Sequence, residues 1–210
     1  MRDRVKQVLL DRILDGTYKP GDRLVELQIA HELDTSQGPV REALRDLEAM
    51  RLVESATYRG TRVRAISQQE LQESYQVRAE LEGLAGRLAA PQFCSQPEPL
   101  QIALQALEAA AQAQDFERFT RCNGAFHRLI VETAGNSVLL RVWSSLDFET
   151  WTRINLLVVR HKADDLSSFV AEHQAITEAL VQGDAVSAEQ LLRQHAEIAL
   201  SGSPEHLLLT

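Results

Sequence analysis

Asn123 and His127 stand four residues apart in one helix-patterned stretch. His173 and His195 follow on two later ones, separated by a Gly183-Asp184 turn. Imidazole nitrogens and an amide oxygen are ligands for divalent ions. Residues at i and i+4 share one face of a helix, so two further helices bringing their histidines to that face would enclose an ion inside a bundle. A lone histidine on a helix is more often a surface or capping residue, and the reading depends on all four groups acting together. His31, His161 and His206 fall outside the pattern, and Cys94 and Cys122 make no metal or redox spacing.

A second constellation lies near the N-terminus. Gln37, Arg41 and Arg45 stand at i, i+4 and i+8, away from the stripe of Val40, Leu44 and Leu47. Arginine can donate two hydrogen bonds to guanine O6 and N7, and glutamine can pair with adenine N6 and N7. Arg59, Gly60 and Arg62 lie at and beside the tip of a short ribbon. With Arg51 and Arg64 they make a basic edge opposed only by Glu54, and such an edge suits phosphate contact. The competing possibility is a solvated face on which Arg41 and Arg45 pair with neighbouring acids. A DNA reader joined to a metal-bearing pocket predicts a metabolite-controlled transcription factor.

The elements that must carry these residues are legible from periodicity. Val5, Val8, Leu9 and Ile13 mark a helix over 2–14, and turn signals follow at 15–17 and 19–22. Helices are expected over 26–33 and 37–50, the latter capped by Ser36 with Pro39 in its first turn. Residues 52–54 and 60–64 read as two strands. Three helices and a two-stranded ribbon make a winged helix-turn-helix. Ser67-Gln68-Gln69-Glu70 is a capping box, and the helix it opens is expected to close at Pro91, with a loop over 91–99. Further helices are expected over 99–113, 115–134, 137–159, 166–182 and 184–200. The predicted fold is mainly α: a winged helix-turn-helix over residues 1–66 and an all-α antiparallel bundle of six helices over 67–210.

Composition agrees with this division. The chain has 210 residues and a net charge of −8, which suits a DNA binder poorly until it is split. Residues 1–66 hold 12 Lys and Arg against 11 Asp and Glu; residues 67–210 hold 10 against 19. The acidity belongs to the second part. Aromatic residues make up only 5% of the chain, and the abundance of Leu and Ala favours helices. No apolar run approaches the roughly 18–20 residues that span a bilayer, and no apolar segment follows the charged N-terminus as in a secretory signal. A cytoplasmic protein without a membrane partner is expected.

The first part resembles the GntR family's N-terminal domain. Leu24-Val25-Glu26-Leu27-Gln28-Ile29-Ala30 and Ser36-Gln37-Gly38-Pro39-Val40-Arg41-Glu42-Ala43-Leu44-Arg45 carry the resemblance, preceded by Pro20-Gly21-Asp22-Arg23. It implies that Arg41 and Arg45 face DNA and that Gly60 reaches the minor groove. The family commonly has Arg where Gln37 stands, and Arg or another polar residue where Leu27 stands.

The second part resembles the FCD group, the effector domain of the FadR-like branch. Val77-Arg78-Ala79-Glu80-Leu81-Glu82, Asn123-Gly124-Ala125-Phe126-His127 with Ala134-Gly135-Asn136, and Glu172-His173-Gln174-Ala175-Ile176 followed by His195 carry it. Six helices rather than seven imply the VanR-like subgroup. In that group the positions of Asn123, His127, His173 and His195 bind a divalent metal, usually with Asp at the first. Zn, Ni and Mn are the expected ions. An amide ligand adds no charge, so the ion keeps its full +2 and attracts an anionic ligand more strongly. Four protein ligands on an octahedral ion leave two positions for a carboxylate. Arg78 is a candidate effector anchor; its alternative is an i, i+4 ion pair with Glu82.

The expected function is a non-enzymatic regulator. It acts as a homodimeric repressor on a double-stranded operator and is released by a small organic acid bound at the metal. Two half-sites call for a C2 dimer. The alternatives are a purely structural or sensory metal and, with less support, a metalloenzyme. An acyl-CoA sensor ranks low because that branch lacks the histidines.

Overall fold

The computed structural model describes residues 1–50, 52–56, 60–65, 68–146 and 166–201. They fall into two compact units, Met1–Gln68 and one that begins at Gln69.

The first unit runs α1 (Arg2–Leu14), β1 (Arg23–Leu24), α2 (Glu26–Glu32), α3 (Gln37–Ala49), β2 (Val53–Ala56) and β3 (Gly60–Val63). Its core gathers Val5 and Leu9 of α1, Ile29 of α2, and Val40, Ala43, Leu44 and Leu47 of α3, all buried. These are the apolar positions that the 3.6-residue repeat aligns. Ser36 occupies the N-cap of α3, but its side chain accepts no capping hydrogen bond. The sheet has three strands in the order β1-β3-β2, not the two expected. β1 pairs Arg23 with Arg62 and Leu24 with Thr61. A two-residue strand is too short to show alternation, so nothing in the sequence marks it. Arg51, the wing tip at 57–59, including Arg59, and the capping Ser67 lie outside the described residues.

The second unit is helical throughout its described residues: α4 (Gln68–Ser95), α5 (Glu98–Gln112), α6 (Phe116–Thr133), α7 (Ser137–Ser145), α8 (Ser167–Val181) and α9 (Ala185–Ser201). Two caps form as side-chain chemistry requires. Asp115 accepts from the Arg118 N–H at 3.0 Å, and Asn136 accepts from Val138 and Leu139 at 3.1 Å each. Gly135, at φ 67, ends α6 in the left-handed conformation.

Pro91 does not close α4. The helix runs through it to Ser95. A proline here removes one main-chain donor, and the carbonyl it strands belongs to Arg87, on an exposed turn where water can reach it. Phe93, just beyond, is 1% exposed and packs in the core with Ala89, Leu100 and Leu180. Burying that ring outweighs the lost bond and carries the helix past the proline. The expected fourth bundle helix, 137–159, is shorter: α7 ends at Ser145 with Leu146 as its C-cap, and residues 147–165, with Phe148 and Trp151, lie outside the described residues.

The bundle core joins Ala85, Ala89, Phe126, Ile130, Trp143, Ile176 and Leu192 from five helices. α4 and α9 approach closely at Gly86. A Cβ there would run into Leu192 and sit 3.2 Å from the Ala188 carbonyl oxygen, so only glycine lets these backbones meet.

Candidate metal centre and DNA-reading face

α6 carries Asn123 and His127 on its buried face, α8 carries His173 and α9 carries His195. All four are 9% exposed or less. One nitrogen from each of the three imidazoles lies within 4.8 Å of the others. The rings of His173 and His195 are 4.6 Å apart, those of His127 and His195 5.0 Å. Phe126 packs edge-on against His173 at 5.1 Å and helps wall the cluster in. Asn123 Oδ1 is 2.7 Å from His173 Nε2.

The outward nitrogen of each ring has an oxygen beside it. His173 Nδ1 donates to the Phe169 carbonyl at 2.7 Å. His195 Nδ1 meets Glu172 Oε2 at 2.5 Å. His127 Nδ1 lies 3.0 Å from Glu82 Oε2, an ion-pair distance at an angle short of a hydrogen bond. A carbonyl or carboxylate oxygen can only accept, so the proton belongs on Nδ1 and each Nε2 presents a lone pair.

Burial opposes charging His127 and His173. At His127, burial pushes the imidazole down, Glu82 only partly offsets it, and the ring is held at about 4. His173 is held well below its ordinary value, first by burial and then by His195 and His127. Neutral imidazoles are the ligating form.

The donor set therefore fits a divalent cation. His127 Nε2 is buried with no hydrogen-bond partner, an arrangement that costs free energy unless something accepts its lone pair. Between Asn123 Oδ1 and His173 Nε2 two lone pairs face each other, which is stable only around a cation or with the amide turned to donate.

Behind this cluster lies a buried ionic network. Arg78 is 2% exposed and Glu82 1%. Arg78 Nε donates to Glu82 Oε1 at 2.8 Å, and Trp143 Nε1 donates to the same oxygen at 3.0 Å. Burial opposes the charge on Glu82, but Arg78 and then His127 outweigh it and hold the carboxyl well below its usual range. The i, i+4 ion pair open in the sequence is thus formed. Sequence reasoning saw Glu82 only as a partner for Arg78, and gave Glu172 no role. Their histidines lie 45 and 23 residues away, and no local spacing signals such contacts. Cys122 is half-buried against the cluster of Leu107, Phe119 and Val170, so it packs.

In the first unit Gln37, Arg41, Arg45, Gly60 and Arg62 are all exposed. Arg41 is engaged by Glu26 through Nε and Nη2, at 2.9 Å for the shorter bond. Arg62 Nη1 donates to the Gly21 carbonyl at 2.7 Å. Gly60 adopts φ 73, and a Cβ there would lie 3.2 Å from Arg23 Nε, so the ribbon requires glycine at this position. Leu27, 64% exposed, is an apolar residue in open solvent on α2.

Residues 1–63 match the family described as bacterial regulatory proteins, gntR family, and residues 73–197 match the FCD domain. The chain belongs to the GntR family and carries an FCD domain. A relative named "Probable D-xylose utilization operon transcriptional repressor", from Paenarthrobacter nicotinovorans, is 36% identical over 91% of this chain and 84% of its own length. The transcriptional repressor GlaR of Escherichia coli is 30% identical over 89% and 88%. A solved GntR regulator from Rhodococcus sp. RHA1 superposes with a TM-score of 0.67 at 26% identity, covering 95% of both chains. This GntR protein is therefore a DNA-binding transcriptional regulator, and the families and relatives named here are not enzymes. No helix among the described residues is long and apolar enough to cross a membrane.

Proposed function

We propose that this regulator is a homodimeric repressor that leaves its operator when a small carboxylate binds at a divalent ion held by Asn123, His127, His173 and His195. The observation that carries the reading is the buried cluster of three imidazoles, each with Nδ1 beside an oxygen and Nε2 left to ligate. When bound, the ion supplies an electrophilic centre of undiminished charge for an organic anion. The chain's own residues exclude water, orient the imidazoles and tie α6, α8 and α9 to one point. Arg78 is the buried cation nearest in character to an effector anchor, and its bond to Glu82 is the competing use. Relatives named for D-xylose utilization and gluconate operons make sugar acids the first probes. The VanR-like subgroup is part of this proposal and rests on the six helices expected from the sequence of the second unit.

Gln37, Arg41 and Arg45 read bases from α3 in this scheme, with Arg59, Gly60 and Arg62 on the wing. A C2 dimer matches two half-sites. The effector shifts the dimer only by its differential affinity for the two geometries.

The test is a thermal-shift screen of sugar acids and other small carboxylates, with and without chelator, paired with a mobility shift on the protein's own upstream DNA. A stabilising acid that releases DNA and loses its effect on chelation is the expected result. Stabilisation by Zn²⁺, Ni²⁺ or Mn²⁺ alone, with no acid active, would replace it with a structural or sensory metal. That second reading is favoured by the edge-on packing of Phe126 against His127 and His173.

A further inference from the structure

Of the four groups assigned to the ion, none carries a negative charge, and their aim depends on what stands behind them. Two carboxylates do so, from different helices and at different depths. Glu82 of α4 is 1% exposed at its side chain and places Oε2 3.0 Å from His127 Nδ1. Glu172 of α8 is 33% exposed and places Oε2 2.5 Å from His195 Nδ1. The third ring, His173, has only a main-chain carbonyl in that position.

We infer that Glu82 and Glu172 are positioning residues that hold His127 and His195 in the Nδ1–H form, with Nε2 bare and turned to the ion. This rests on the metal reading proposed above. A neutral imidazole in water samples both tautomers, and the one protonated on Nε2 cannot ligate through that atom. An acceptor fixed at Nδ1 selects the ligating form and makes the ring a stronger donor.

Glu82 is itself fixed. Its Oε1 accepts from Arg78 and from Trp143 Nε1, while Oε2 makes no hydrogen bond and stands 3.0 Å from His127 Nδ1. The carboxylate can turn neither away from His127 nor toward solvent. Its charge is matched by Arg78, so what it gives His127 is a fixed acceptor rather than net charge. Glu172 sits one residue before His173 on α8 yet serves His195 on α9. One turn of α8 thus places two of the three rings: His173 by its own main-chain bond to Phe169, His195 through Glu172.

The experiment uses the full chain and Zn²⁺ or Ni²⁺ as probe, read by calorimetry, with the imidazole tautomers read by ¹⁵N NMR under chelator. Glu172→Ala and Glu82→Ala should each weaken ion binding by about 10–100-fold. In the variants the affected ring should shift toward the Nε2–H form; Glu172→Gln, which keeps an acceptor, should recover part of the loss. Glu82→Ala leaves Arg78 unbalanced and could unfold the bundle, so Glu172, partly exposed, decides the matter. If the wild-type chain binds the ion and Glu172→Ala binds it as tightly with its tautomer unchanged, the inference fails while the metal reading stands. If the wild-type chain binds neither ion, the metal reading fails and takes the inference with it.

Discussion

The two units handle polar residues in opposite ways. Every buried polar or charged side chain among the described residues, from Arg78 and Glu82 to Thr177 and His195, belongs to the helical unit. The first unit buries apolar groups there and keeps Gln37, Arg41, Arg45 and Arg62 in water. A surface that must meet a phosphate backbone gains nothing from desolvating its charges beforehand. A buried site of the kind proposed has to dehydrate its own polar groups, and it stays stable only if each finds a partner. The difference teaches where each unit is fragile: the helical unit through its polar interior, the DNA reader through its apolar one.

The sharpest way to break this comparison is Arg78→Met. It strands the Glu82 carboxylate in the core and should cost about 3–5 kcal/mol, seen as a lower urea midpoint for the bundle. A loss below about 1 kcal/mol would show that the interior is wetter than the packing indicates. Leu47→Ala is the counterpart in the first unit. Leu47 is fully buried in α3, so its truncation should cost about 2–5 kcal/mol and weaken DNA binding. Ion affinity, measured by calorimetry, should stay where it was; a change would mean the two units do not divide their roles.

Arg41→Ala sharpens the comparison from the functional side. The residue is exposed and bonded only to Glu26 in the described structure, so unfolding should hardly move. Affinity for operator DNA should fall by about ten- to a hundredfold in fluorescence anisotropy. An unchanged DNA affinity would return Arg41 to the solvated face that the sequence left open. Asn136→Ala gives the smallest effect. Removing a cap that accepts from two N–H groups should cost the bundle about 1 kcal/mol in denaturant. DNA affinity measured at low temperature should be untouched.

Much of this architecture was legible because it is written in short periods. α3 follows from the spacing of Val40, Ala43, Leu44 and Leu47, and its exposed Gln37–Arg41–Arg45 row follows from the same repeat. α6 follows from its Asp115 cap and Gly135 stop, which put Asn123 and His127 on one face. What failed was local punctuation read without its surroundings. Pro91 signals a helix end, and Phe93 in the core overrides it. Arg23 and Leu24 lie amid turn residues, and only pairing with Arg62 and Thr61 makes them a strand.

The candidate site divides along the same line. The sequence by itself determined which residues could ligate, because donor chemistry and the i, i+4 spacing of Asn123 and His127 are local properties. Only the tertiary structure decided that His173 and His195 converge on them. It also decided that Glu82 stands behind His127 while tied to Arg78 and Trp143, and that Glu172 serves a histidine on the next helix rather than its neighbour. Such contacts join residues 23 to 61 positions apart. Helix packing, and no rule of spacing along the chain, determines which of them meet.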